Sequence, residues 1–101
     1  MKEMQRAGSL KELQEGKSLD VMLNGQKIAI FYIDDEVIAT SGKCPHAGGP
    51  IQRGDLAGAL VTCPWHGWTF DLHSGVCTDD PCLALDVYQV KVEGDDILVA
   101  L

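Results

Sequence analysis

Apolar and polar residues alternate in short runs along this chain, which is the pattern of β-strands joined by tight turns. The run Ser18–Leu23 alternates, and the run Gln26–Ile33 is apolar and β-branched. Asn24-Gly25 between them is a strong signal for a two-residue hairpin turn. Asp34-Asp35 predicts a second turn, which a short strand at residues 36–40 follows. The first half of the chain is therefore predicted to consist mostly of strands.

The C-terminal part of the chain shows the same pattern. Residues 87–93 and 95–101 are predicted strands that flank a turn at Gly94-Asp95. The segment between about residues 43 and 71 differs, because it is rich in Gly, Pro, Cys and His. Two β-rich ends around such a segment predict a rigid β scaffold that presents a site built on loops.

One segment has the signals of a helix. At residues 9–14, Ser9 is a candidate N-cap, Glu12 follows three residues later, and Gly16 is a candidate stop. A short helix is therefore expected before the first hairpin. The chain contains no repeat, low-complexity tract or linker.

Two short motifs in the middle segment contain the candidate chemistry. Cys44-Pro45-His46 and Cys63-Pro64-Trp65-His66 each supply one thiolate and one imidazole. Sixteen residues, 47–62, separate the two motifs. Two Cys and two His are the ligands of a [2Fe–2S] centre in which imidazoles replace two thiolates on one iron.

This pattern resembles the Rieske iron–sulfur family, and the flanking Gly67-Trp68 and Phe70-Asp71 fit that family as well. The resemblance implies one [2Fe–2S] cluster, with Cys44 and Cys63 on the inner iron and His46 and His66 on the outer iron near solvent. It also implies an all-β, Rieske-like fold of small antiparallel sheets. Residues 1–101 would form a single Rieske domain, in which a cluster-binding subdomain at about 43–71 is inserted into a β base.

The ligand types set the expected redox range. Two ferric ions, two sulfides, two thiolates and two neutral imidazoles sum to zero charge, and reduction gives minus one. A Rieske centre has two thiolates fewer than an all-Cys cluster and therefore less negative charge. Its reduction potential is higher for this reason, roughly −150 to +300 mV.

Zinc is the chemical alternative, because two Cys and two His also complete a structural tetrahedron around Zn²⁺. Zinc-finger spacing, however, places the two Cys together and the two His together on a helix. Here each motif contains one residue of each type, which suits two irons with different ligands. Disulfides are a second alternative, which a reducing cytoplasm disfavours.

The departures from the family indicate which branch the chain resembles. High-potential Rieske proteins have an extra Cys in each ligand loop, and the corresponding residues here are Gly49 and Trp65. Those proteins also donate hydroxyl hydrogen bonds to the cluster from positions that Trp68 and Phe70 occupy here. Hydrogen bonds to the cluster raise its potential. We therefore expect a low-potential, ferredoxin-type Rieske protein.

The remaining candidate residues have less specific signals. Cys77 and Cys82 are either a redox pair or small buried apolar residues, and a cytosolic setting favours the second interpretation. His73 lies in a predicted turn and is expected to be an exposed structural residue. Among the acidic clusters, Asp79-Asp80 is the better candidate for docking a partner, because it belongs to a segment that is expected to lie beside the ligand loops.

Composition limits the remaining possibilities. A length of 101 residues is enough for one ordinary core. Residues 1–8 contain no long apolar run, so neither a signal peptide nor a membrane anchor is expected. A cytoplasmic location is therefore expected. The net charge of −7 disfavours nucleic acid and suits a carrier that is steered toward a basic surface.

The resemblance implies a soluble one-electron carrier that is not an enzyme by itself. It would pass electrons from a flavin-dependent reductase to a terminal oxygenase, ring-hydroxylating or related, as a monomer. A mononuclear iron site after the last hairpin is therefore not expected, and no Gly-x-Gly-x-x-Gly fingerprint is present in these residues.

Two alternatives to this function stay open. One is the small subunit of an assimilatory nitrite reductase, although members of that branch often lack the ligands. The other is a zinc-binding module for protein interaction.

Overall fold

The computed structural model describes residues 4–16, 18–42, 51, 54–64, 67–79 and 83–100. Within these ranges the chain forms ten strands and one short helix. In chain order they are β1 (Met4–Ser9), α1 (Leu10–Gly16), β2 (Ser18–Leu23), β3 (Gln26–Ile33), β4 (Glu36–Ser41), β5 (Asp55–Ala57), β6 (Leu60–Thr62), β7 (Thr69–Asp71), β8 (Val87–Tyr88), β9 (Val90–Glu93) and β10 (Asp96–Ala100).

The strands described form three sheets, and every strand pair is antiparallel. One sheet has the order β1-β10-β9, the second β2-β3-β4-β8 and the third β5-β6-β7. The predicted all-β fold class is confirmed. We call the first two sheets and α1 the β base.

The two predicted hairpin turns of the base have the expected geometry. Asn24 and Gly25 have φ of 51° and 76°, and Asp34 and Asp35 have φ of 49° and 63°. Two consecutive residues with positive φ match the right-handed twist of the strands that they join. The turns fix the register of β2, β3 and β4, so that Leu23 pairs with Gln26 and Ile33 with Glu36.

The central strand β3 lies between two hydrophobic cores. Ile28 and Ile30 pack into a core with residues of α1 and β10, whereas Ala29 and Phe31 face a second core. All four side chains are fully buried. This explains why β3 is a continuous apolar run rather than an alternating one. The second core connects the base to the middle segment, and we call it the site core.

The predicted C-terminal strand at residues 87–93 is divided between two sheets. β8 pairs with β4 in the second sheet, and β9 pairs with β10 in the first. The break falls at Gln89, whose carbonyl accepts a hydrogen bond from the backbone N–H of Ala100 at 2.9 Å. This crossing ties the two sheets of the base together.

The helix α1 is capped from two directions. The Ser9 hydroxyl lies 3.5 Å from the Glu12 backbone nitrogen, as the predicted cap requires. Asp95, from the turn between β9 and β10, accepts from the backbone N–H of Leu10 through its carbonyl at 2.8 Å and from that of Lys11 through its carboxylate at 3.0 Å. The hydroxyl of Ser9 donates to the same carboxylate. The hydrogen bonds that the carboxylate accepts from Ser9 and Lys11 lower the pKa of Asp95 below its ordinary value.

The helix also differs slightly from its prediction. It extends through Gly16, which was expected to follow its end. Leu13 is its buried residue and packs into the core shared with β10. In the part of the chain that the structure describes, no helix is long and apolar enough to cross a membrane.

Candidate metal centre

The second ligand motif lies between two strands that hold its ends together. Residues 63–68, the second ligand loop, connect β6 to β7, and Thr62 pairs with Thr69 across these strands. The backbone N–H of Cys63 donates to the carbonyl of Trp68 at 2.7 Å, and the hydroxyls of Thr62 and Thr69 lie 3.1 Å apart. Gly67 has a φ of 72°, which favours glycine at this turn. The base of the loop is therefore closed.

Cys63 is buried at this closed base. Its exposed fraction is 1%, and it belongs to the site core together with Val61, Phe70 and Cys77. A thiol at the buried end of a loop suits the inner iron of a [2Fe–2S] cluster, whereas the loop tip suits the outer iron. The donor chemistry and the burial of Cys63 therefore fit such a cluster.

The first ligand motif lies in residues 43–50, the first ligand loop. Its flanks are joined by a hydrogen bond of 3.3 Å from the Ile51 backbone N–H to the carbonyl of Gly42. Gly42 is in turn held to β3, because its N–H donates to the carbonyl of Lys27 at 2.8 Å. Both ends of this loop are therefore anchored to the protein.

Gly54 brings the ends of the two loops together. A Cβ atom at Gly54 would lie 2.3 Å from the carbonyl oxygen of Thr62 and 3.1 Å from that of Ile51. Ile51 ends the first loop, and Thr62 precedes the second. The backbone packing that only glycine allows here therefore places the two loop bases side by side over the site core.

The predicted ligands differ in what the structure describes of them. Cys63 is described, while Cys44, His46 and His66 lie outside the described residues. The same holds for Gly49, Trp65, Asp80 and Cys82. The ligand set therefore stays a prediction, which the positions of the loop ends support.

The other predicted site residues are placed clearly. Phe70 is fully buried, and Trp68 packs against the site core. Cys77 is 1% exposed, and its backbone forms an isolated antiparallel β-bridge with Phe70. It forms no disulfide within the described residues. For Cys77 this agrees with the interpretation as a small buried residue.

His73 also behaves as expected. It is exposed, and its Nδ1 lies 3.7 Å from the carboxylate of Glu36, the first residue of β4. This contact joins β4 to the segment after β7.

Sequence reasoning missed several residues that build the site. The strands β5 to β7 were expected to be loop, and the contacts of Ile51 and Gly54 have no local sequence signal. The carboxylate of Asp79, expected to serve docking, accepts a hydrogen bond from the backbone N–H of Thr69 at 2.9 Å. Asp79 therefore contacts the end of the second ligand loop.

Comparison with known proteins identifies the family. Residues 3–99 match the family described as the Rieske [2Fe-2S] domain. The chain is 38% identical over 96 residues to the biphenyl dioxygenase ferredoxin subunit of Pseudomonas sp. (strain KKS102), covering 93% of this chain and 88% of that protein. It is 36% identical over 91 residues to human apoptosis-inducing factor 3, covering 89% of this chain but 15% of that protein.

Solved structures with a similar fold include ferredoxins of dioxygenase systems and a nitrite reductase small subunit. The ferredoxin of carbazole 1,9a-dioxygenase from Nocardioides aromaticivorans IC177 is 31% identical with a TM-score of 0.87, over 96% of both chains. A chain in a complex of reduced oxygenase and oxidised ferredoxin of carbazole 1,9a-dioxygenase is 27% identical, with a TM-score of 0.86 over 96% of this chain and 92% of that chain. A putative NADH-dependent nitrite reductase small subunit from Mycobacterium tuberculosis is 30% identical, with a TM-score of 0.87 over 100% of this chain and 96% of that chain.

An antiparallel β base with a site core that joins the ends of two loops, each with one Cys and one His in its sequence, fits an iron–sulfur protein of the ferredoxin class. The chain belongs to the Rieske [2Fe–2S] family, and its cofactor is one Rieske-type [2Fe–2S] cluster. Such a cluster takes up and releases single electrons, which makes the chain an electron-transfer protein.

Proposed function

We propose that Cys44, His46, Cys63 and His66 hold the cluster, with the two Cys on the inner iron and the two His on the outer iron. The observation that supports this most is the close approach of the two loop bases at Gly54, above a core that contains Cys63. The described ends of the two loops lie at neighbouring points of the protein, as the ends of two loops that share one cluster must. The two imidazoles would then be the ligands nearest a redox partner.

We further propose that the chain carries electrons from a flavin-dependent reductase to a terminal oxygenase of the ring-hydroxylating or related type. The ferredoxin subunit of biphenyl dioxygenase is its relative over most of both chains. The similar carbazole dioxygenase chain was solved in a complex of oxygenase and ferredoxin. In this proposal the chain supplies electrons and leaves the substrate chemistry to the oxygenase.

A single-domain monomer in the cytoplasm fits this role. The buried thiol of Cys77 suits a reducing compartment. Size-exclusion chromatography with light scattering should give a mass near 10.9 kDa for the apoprotein. A mass twice as large, from a stable dimer, would contradict the proposed monomeric state.

A stopped-flow experiment tests the proposed electron path. The protein, reduced anaerobically, is mixed with the oxidised oxygenase component of the biphenyl dioxygenase system, and its visible absorbance is followed. We expect the cluster to be reoxidised as the oxygenase is reduced, and we expect the reductase of that system to reduce the oxidised protein. His66→Ala is the control, and it should transfer no electrons in either step.

The small subunit of a nitrite reductase is the second candidate function. The similarity to the Mycobacterium tuberculosis chain, over 100% of this chain and 96% of that chain, favours it. The presence of all four ligand residues speaks against it. If the reduced protein reduces no oxygenase but binds a nitrite reductase catalytic subunit and supports its activity, the second candidate replaces the first.

A further inference from the structure

One peptide group lies between Asp79 and Cys63. The Trp68–Thr69 peptide donates its N–H, on Thr69, to Oδ2 of Asp79 at 2.9 Å. The oxygen of the same peptide, which belongs to Trp68, accepts a hydrogen bond from the backbone N–H of Cys63 at 2.7 Å. The carboxylate is thus connected to the backbone of a proposed cluster ligand through a single peptide unit.

The position of Asp79 is fixed by the strand-like segment to which it belongs. The backbone N–H and the hydroxyl of Thr78 both donate to the carbonyl of Thr69, at 2.8 and 3.3 Å. Phe70 and Cys77 form a β-bridge one residue further along. Residues 77–79 therefore lie along the edge of β7, on the side away from β6.

The carboxylate takes the place of a backbone acceptor at this edge. Hydrogen-bonded and non-hydrogen-bonded pairs alternate along an antiparallel ladder, and Cys63 and Trp68 form a hydrogen-bonded pair, so that the neighbouring pair of Thr62 and Thr69 is of the non-hydrogen-bonded kind. The N–H of Thr69 therefore points outward, toward residues 77–79. Asp79 satisfies it with an anionic oxygen, and charge-assisted hydrogen bonds are roughly twice as strong as neutral ones.

Hydrogen bonds in such a series polarise one another. An anion on the N–H of the peptide makes the carbonyl of Trp68 a stronger acceptor for the N–H of Cys63. The negative charge also stands near the end of the second ligand loop, where it opposes the arrival of an electron on the cluster.

We propose that Asp79 is a positioning residue for the cluster rather than a docking residue. Its carboxylate anchors the peptide that closes the second ligand loop, holds Cys63 in its place, and keeps the reduction potential low. This inference rests on the proposed role of Cys63 as a ligand.

Two substitutions at Asp79 separate the effects of geometry and charge. Asp79→Asn keeps an acceptor oxygen but removes the charge, and Asp79→Ala removes both. The controls are Glu15→Gln and Glu15→Ala, because Glu15 is an exposed acid on α1 in the β base. Each control removes the same net charge, so that effects of the total charge cancel in the comparison.

Three measurements on the loaded proteins follow. The first is the rate at which the visible absorbance decays in the presence of a ferrous chelator. The second is the EPR spectrum of the reduced state, and the third is the midpoint potential by film voltammetry. Circular dichroism checks that each variant is folded.

We expect Asp79→Ala to lose its cluster about tenfold faster than Glu15→Ala, since outer partners of metal ligands contribute about that much. Its EPR g-values should shift, and Asp79→Asn should restore most of the wild-type spectrum and stability. Both Asp79 variants should have a higher potential than their Glu15 controls. If Asp79→Ala does not fold, the potential of Asp79→Asn against Glu15→Gln remains a test.

The inference is wrong if the Asp79 variants match their controls in cluster loss, EPR and potential. A change confined to the salt dependence of electron transfer would return Asp79 to the docking role. Failure of the ligand assignment itself would appear differently, as wild type and Glu15 variants that hold no Rieske-type cluster.

Discussion

At the scale of single residues, the environment of the cluster is set by what the second ligand loop lacks. Phe70 is fully buried and belongs to the same site core as Cys63, and its side chain has no group that could donate a hydrogen bond. Trp68 packs against the same core. Without a hydroxyl group at positions 68 and 70 the added electron is less stabilised, and we expect a potential near the low end of the Rieske range, on the order of −150 mV.

Phe70→Tyr should raise this potential by roughly 40 mV if its hydroxyl donates to the cluster. One net hydrogen bond of about 1 kcal/mol to the reduced state corresponds to that shift for a one-electron couple. Phe31→Tyr is the control, because Phe31 is equally buried in the same core but lies on β3. Film voltammetry gives the potentials, and equal potentials for Phe70→Tyr and wild type would show that the hydroxyl does not reach the cluster.

At the scale of elements, local sequence signals predicted the hairpins, whereas the pairing of the other strands depends on contacts between distant parts of the chain. The turns Asn24-Gly25 and Asp34-Asp35 specify their strands within a few residues, so β2, β3 and β4 were predictable. β1 pairs with β10 from the other end of the chain, Met4 with Ala100 and Ser9 with Asp96, and has no apolar run of its own. Nothing local predicts it.

The third sheet was missed for a related reason. Its strands have only three residues each, too few to show a period. The ligand types and their spacing are local, and the sequence therefore predicted the chemistry of the site. The joining of the loop bases through Gly54 is a backbone contact that no pattern of side chains records.

Gly54→Ala tests whether this contact assembles the site. The added methyl group would overlap the carbonyl of Thr62, which is backbone and cannot move alone. We expect a loss of about 3 kcal/mol in the free energy of unfolding, typical of severe overpacking, and rapid loss of the cluster. Gly16→Ala is the control, since nothing lies within 4 Å of a Cβ there. A Gly54→Ala protein as stable as the control would contradict this packing.

The cap on α1 gives a second prediction for an element. Asp95→Ala should lower the melting temperature relative to Asp20→Ala, an exposed acid on β2, because two hydrogen bonds to the helix start are lost. Since folding lowers the pKa of Asp95, its contribution is present above the ordinary value of 3.8 and disappears as the pH falls below it. Thermal unfolding followed by circular dichroism should show a constant difference from pH 8 to 5 that shrinks toward pH 3. A difference that persists unchanged at pH 3 would exclude the carboxylate as its source.

At the scale of the whole molecule, the charge of −7 governs encounters with other proteins. Salt screens attraction to a basic partner surface, with a Debye length of about 10 Å at 0.1 M. The rate of reduction by the reductase should therefore fall as ionic strength rises. Reduction by a small uncharged reagent serves as the control and should stay constant. If the rate of reduction by the reductase also does not change with ionic strength, the docking face is mainly apolar.

The central claim is that two Cys and two His from two loops hold one [2Fe–2S] cluster. Pulsed EPR of the dithionite-reduced protein, with iron and sulfide counts, tests it most directly. We predict about two irons and two labile sulfides per chain, and couplings from two iron-bound histidine nitrogens. Both couplings should survive in His73→Ala, whereas His46→Ala and His66→Ala should lose the normal centre. A colourless protein with one zinc, or a cluster without nitrogen couplings, would contradict the account.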